Sequence, residues 1–264
     1  MNSRREQNHK KRCLNITNGD CAVAIMKKAG IPGDFLPWQD VLHDGPVPEC
    51  SSLKELSEIR SKFIAERGWG TLSAKEMTAL FQYEEPITEK HYMLANKGWS
   101  AFRSATPEKW HALLTTDTTA LPFLHGAILR LLEEYPSCNN GLSRTAHQAL
   151  KVILQGETDP GKIFSRSQES EDRLFMGDAS FWFILNELLD SSPPLLKLAE
   201  GKSLTLPINP NQELTITPAG KAVLSGMANW LDIAEIDRWI GGVHLTPDNI
   251  WCWDADSNCC RNSH

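Results

Sequence analysis

Long apolar runs are missing from this chain. No stretch approaches the roughly 18–20 consecutive apolar residues that a membrane-spanning helix needs, so no membrane partner is expected. The opening MNSRREQNHKKR has five Lys/Arg against one Glu and no apolar segment behind it, which argues against a secretory signal. Residues 1–12 read as a basic flexible tail. Cysteine pairs at zinc-site spacing are also missing: Cys252, Cys259, Cys260 and His264 near the end lack the C-x₂₋₄-C pattern, so no metal is expected. The cysteines are seven, an odd number, scattered from Cys13 to Cys260, which reads as reduced thiols in the cytoplasm. There is no G-x-G-x-x-G, no G-x-x-x-x-G-K-S/T and no G-x-S-x-G, so neither a dinucleotide cofactor nor a serine-hydrolase elbow is expected. Positive charge is scarce in the second half: residues 138–264 hold 10 Lys/Arg against 16 Asp/Glu. Nucleic-acid binding draws on basic groups for most of its affinity, so that partner is disfavoured.

What is present is an ordinary folded composition, 41% hydrophobic and 23% charged, over 264 residues. Residues 13–42 read as strand, helix, strand. Leu14 and Ile16 alternate in a short strand, Asp20 is a helix N-cap, Ala22 to Ala29 supply an apolar face, and Gly30 closes the helix. The second strand, FLPWQDVL, contains Pro37, which demotes it to an edge or cuts it short. This is the start of a β-α-β crossover. Helical patterns follow. Thr88 caps one with Tyr92, Ala95, Trp99 and Phe102 on its face, Thr106-Pro107 starts another, and Leu124, Ile128, Leu131, Leu132 and Tyr135 mark a third. PSCNNG then reads as a loop and domain boundary. Beyond it, Ser143 caps a helix and DASFWFILNELL forms a second. LTLPINPNQELTIT reads as two strands about a turn, TPAGKAVLSG as a capped helix, and RWIGGVHLTPDNIWCWD as a hairpin turning at TPDN, with Ile250/Cys252 and Trp251/Trp253 on opposite faces.

Four stretches in order carry a resemblance: NGDCAVAIMKKAGIPGDFLPWQDVLHDGPVP, TALPFLHGAILRLLEEYPSCNNGLSRTAHQAL, FMGDASFW, and TPAGKAVLSGMANWLDIAEIDRWIGGVHL with WCWD. Together they resemble the bacterial domain-of-unknown-function family 1835, over nearly all of residues 13–254. The resemblance implies a fold more than an activity, because the family has none established. It also implies several dozen further residues, including a Glu-His-Asp string, after the RGWG position. Here Gly68-Trp69-Gly70 runs straight into TLSAKEM, which shortens the N-terminal unit.

Three places hold candidate chemistry. Asn18, Gly19 and Asp20 lie between a strand and a helix, where ligands gather in α/β folds. Asp20 repels a phosphate, so the junction reads first as a capped turn and second as a loop that binds a ribose or sugar hydroxyl. His43 and Asp44, in HDGPVP, are a candidate proton-transfer pair, set against plain turn chemistry. Asp237, Arg238, Gly241, Gly242 and His244 form the second candidate site. Its simpler interpretation is an Asp-Arg ion pair beside a glycine bulge that packs Trp239.

The expected architecture is mixed α/β and α+β, mainly helical. A shortened Rossmann-like β-α-β unit (13–70) leads through a helical connector (71–135) to a winged-helix-like domain (136–254) ending in a hairpin, with a flexible tail (255–264). The expected function is binding of a small polar ligand, nucleotide- or sugar-like, at the N-terminal unit, without a cofactor. The C-terminal domain would be a structural or partner-binding module. A hydrolase or transferase using His43 and Asp44, and a nucleic-acid regulator, are the alternatives.

Overall fold

The computed structural model describes residues 14–17, 34–37, 75, 86–173, 175–201, 203–204 and 211–262. Strands β1 (Leu14–Thr17) and β2 (Asp34–Pro37) pair in parallel, from Leu14 opposite Asp34 to Thr17 opposite Pro37. A parallel pair needs a connection of about a dozen residues or more, and the sequence has 16 residues, 18–33, between the two strands. The helix expected there lies outside the described residues.

The connector helices are α1 (Glu89–Phe102), α2 (Glu108–Leu114) and α3 (Leu124–Leu132). Thr88 opens α1 in a reciprocal cap with His91, whose Nδ1 lies 3.0 Å from the Thr88 N–H. The centre of its buried face is Leu94, Gly98 and Ala101 rather than the expected larger residues. Trp99 and Phe102 stack at 5.7 Å on its flank, while small residues at the centre allow close approach. Pro107 takes the cap position of α2, one residue later than expected, and Trp110 and Leu113 go inward.

After residue 141 come α4 (Arg144–Leu154), α5 (Pro160–Gln168) and α6 (Asp178–Asp190). An antiparallel ladder of β3 (Leu196–Leu198) with β4 (Leu214–Ile216) follows, then α7 (Pro218–Leu224) and the single turn α8 (Trp230–Ile233). Ser143 and Thr217 cap α4 and α7 by accepting from Ala146 and Gly220 N–H groups at 3.2 and 3.0 Å. The first strand of the ladder lies earlier than LTLPINP, because Leu196 and Leu198 alternate buried about an exposed Lys197.

The last segment departs most from expectation. Strands β5 (Arg238–Ile240) and β6 (Val243–Leu245) pair about the two-residue turn Gly241-Gly242. Gly241 has φ +59°, the backbone of a type II′ hairpin, so these glycines form a turn and not a strand bulge. TPDN does make a turn, bridging Thr246 to Asn249, but β7 (Trp251–Asp254) pairs with β8 (Cys259–Asn262) instead of with β6. Residues 259–262 are thus strand rather than tail. Asp254 tightens the turn by accepting the Asp256 N–H at 3.0 Å, and Asn258 sits at φ +49°. Trp251, Cys252 and Trp253 are all buried, so β7 is covered on both faces.

Two cores result. One joins α4, α5, α6, β3, β4 and α7 through Leu150, Phe181, Leu188, Leu214 and Val223. The other joins Trp110, Ile128, Leu132 and Tyr135 of the connector to Ile240, Leu245, Trp251 and Trp253. The chain's end therefore packs on the connector. Residues 136–141 are a seam: Trp253 N–H donates to the Pro136 carbonyl at 2.7 Å, and the buried Asn140 donates to the Val223 carbonyl at 3.2 Å. The described residues make a mixed α+β protein, and no helix among them is long and apolar enough to cross a membrane.

Candidate functional site

The β5–β6 hairpin lies against the C-terminal end of α1. Gly242 N–H donates to the Phe102 carbonyl at 2.7 Å, satisfying a group the helix leaves open. A Cβ on Gly241 would fall 2.4 Å from that same oxygen, and one on Gly242 would fall 2.4 Å from the Arg103 oxygen. Only a Gly-Gly turn fits here, and this contact sets where β5 runs.

So placed, β5 forms one wall of a cleft of about 380 Å³; α6 and the ends of α1 and α3 form the others. Phe102, Leu131, Phe175, Phe183, Ile184 and Trp239 give it an apolar, aromatic lining. Across it Arg238 reaches α6, donating from Nε to Glu187 Oε1 at 3.2 Å and from Nη2 to Oε2 at 2.5 Å. Burial, the largest influence, works against this guanidinium's charge, but the Glu187 and Glu134 carboxylates outweigh it and hold Arg238 above its ordinary value.

Asp237 does not pair with Arg238. Its Oδ1 lies 2.6 Å from His244 Nε2. His244 faces Trp239 across the ladder, and the two rings stack at 4.2 Å and 5°. The candidate residues Asp237, Arg238 and Gly241 line the cleft, His244 supports Trp239 from outside it, and Gly242 anchors the turn. The other candidates, Asn18, Gly19, Asp20, His43 and Asp44, lie outside the described residues.

A charged network unread in the sequence stands behind the cleft. Arg130 pairs with Glu134 at 2.6 Å and Glu171 at 2.7 Å and donates to Thr145 Oγ1 at 2.8 Å. Its guanidinium sits 3.8 Å from the ring centre of Phe175, a cleft residue. The i,i+4 spacing of Arg130 and Glu134 was the one readable signal; Glu171 arrives from a distant loop. A larger hollow of about 700 Å³ lies beside α8, with Asp190, Asp232 and Glu235 on its lining but no aromatic ring and no base. The cleft is the better site because it joins rings to a half-buried charge pair.

Cys138, Cys252, Cys259 and Cys260 are thiols, and burial pushes Cys260 well above the usual thiol range. Among the described residues no three His, Cys, Asp or Glu side chains are grouped to hold a metal. Comparison with protein-family models, curated proteins and solved structures finds no match.

Proposed function

We propose that this is a small-molecule-binding protein whose ligand sits in the cleft between α6 and the β5–β6 hairpin. The observation that carries this reading is the Arg238–Glu187 pair, set across an aromatic hollow of about 380 Å³. A few placed polar groups in an otherwise apolar concavity are the usual make-up of a ligand site, and the volume falls within the ordinary range. The test is a thermal-shift screen of small aromatic and polar compounds on the full chain, repeated on Ile184→Trp, which fills the cleft. A compound that raises the midpoint of the parent and not of the variant supports the reading. If every hit stabilises both equally, the cleft is not the site.

The parallel β1–β2 pair favours a second site. Ligands of parallel sheets collect beyond the carboxyl ends of the strands, and Asn18, Gly19 and Asp20 follow β1 directly in the chain. There we propose a nucleotide- or sugar-like ligand, with His43 and Asp44 as the pair for any hydrolase or transferase step. Loss of nucleotide or sugar binding in Asp20→Ala, with cleft ligands unaffected, would separate the two sites.

The family 1835 membership and the winged-helix likeness belong to the same proposal. Helices α4, α5 and α6 followed by the β3–β4 ladder support the likeness, as does the Leu214 N–H donating to the Thr158 carbonyl at 2.9 Å. Phosphate contact suits this module poorly: α6 has no Lys or Arg, and its Phe183, Ile184 and Glu187 face the cleft. A structural or partner-binding role in the cytoplasm fits better.

A further inference from the structure

The cleft reading leaves the ligand's charge open, and the inference here rests on that reading. We propose that the cleft takes an organic cation, a primary or methylated ammonium carried on an aromatic body.

Three carboxylates line the cleft, from Glu134, Glu187 and Asp237, against one lining guanidinium, that of Arg238. Glu134 is balanced by Arg130 at 2.6 Å behind the wall, and Asp237 Oδ1 lies 2.6 Å from His244 Nε2, so the carboxylates that meet an entering group are those of Glu187 and Asp237. Exposure sharpens the imbalance. The Arg238 side chain is 14% exposed and Glu134 11%, whereas Glu187 is 37% and Asp237 83% exposed, so the base and Glu134 lie behind and two acids lie in front. Arg238 is already engaged through Nε and Nη2, whereas each Glu187 oxygen keeps a lone pair after its one contact with the guanidinium. An entering anion would meet carboxylates and find the Nε and Nη2 donors of the arginine taken. An entering ammonium would find carboxylate oxygens to accept its N–H groups, or to balance its charge if methylated.

The lining agrees with the charge. Phe102, Phe175 and Trp239 line the cleft with aromatic rings, whose π-faces attract cations. The wall already holds one such contact, Arg130 over Phe175 at 3.8 Å. The Trp239 ring is held rigid from behind by His244, which fixes it as a platform.

The experiment is isothermal titration of the full chain at low salt with three matched probes: phenethylamine, 2-phenylethanol and 3-phenylpropionate. The amine is expected to bind about tenfold or more tighter than the alcohol, with the acid weakest. Glu187→Gln should lower amine affinity and leave the alcohol's alone. Because that change unpairs Arg238 and can cost folding, the exposed Asp237→Asn is the second variant, with a loss of a few-fold for the amine only. Ile184→Trp should abolish binding of all three. If the alcohol or acid binds as tightly as the amine and Ile184→Trp blocks it, the cation inference falls while the cleft reading stands. If no probe binds, or binding survives Ile184→Trp, both fall.

Discussion

Arg238 shows what single residues decide in this protein. Its guanidinium is held by Glu187 across the cleft and is 14% exposed. Removing one partner of such a pair strands the other, so Arg238→Ala should cost about 3 kcal/mol, the low end for buried pairs, because Glu187 keeps some water. The double variant Arg238→Met/Glu187→Leu should recover most of that. Urea unfolding checks both, and a double variant as weak as Arg238→Ala would mean that the guanidinium contributes by more than this pair. A second residue-scale effect concerns protons. Burial, opposed by Glu108, holds His111 below its ordinary 6.5, and its Nε2 accepts the Cys260 N–H at 2.9 Å, which a protonated ring cannot do. Burial, with Lys151 adding to it, lowers His147 too. Between the folded values and 6.5 the unfolded chain binds the extra protons, so this stability is complete above about pH 6.5 and is lost as pH falls. The urea midpoint at pH 5.5 should fall below that at pH 7.5, and the drop should shrink in His111→Asn/His147→Asn. An unchanged drop in that variant would assign it to other groups.

Elements were legible where their ends are marked. Ser143 and Thr217 stand before apolar periodicity in the sequence and cap α4 and α7 in the structure. Helix α5 escaped notice although Asp159-Pro160 marks its start, because only Ile163 and Phe164 are large and apolar among residues otherwise polar or small. Asp159 nonetheless accepts the Lys162 N–H at 2.8 Å, so Asp159→Ala and Ser143→Ala should each cost about 1 kcal/mol in chemical unfolding. A cost near zero at either position would mean that packing alone holds that helix. The strands were harder to read. Runs of three or four residues carry too few alternations to identify their partners, and the pairing of β7 with β8 depends on a turn built by Asp254 and Asn258.

At the scale of the molecule, the second candidate site could be read as a cluster of residues but not as a cleft. DRWIGGVHL stood out for its glycines and charges; what it faces, α6 and the end of α1, comes from residues 50 or more positions away. Contacts of that span follow from the whole fold and leave no local trace. The two cores make a further expectation. Ending the chain at Glu235 removes Ile240, Leu245, Trp251 and Trp253 from one core and leaves the other whole. Hydrogen exchange should then show lost protection in α1–α3 and retained protection in α4–α6. Equal protection in both would mean that the connector helices stand without the strands.

The Gly-Gly turn lodged beneath Phe102 also bears on how the protein is made. Synthesis adds roughly 5–20 residues per second. From Leu132, at the end of α3, to Trp251, which helps to cover the connector helices, the chain has 119 positions still to add. The apolar faces of α1, α2 and α3 therefore leave the ribosome roughly 6–24 seconds before their covering strands exist. During that interval the nascent chain presents an unfinished surface of the kind that general chaperones bind.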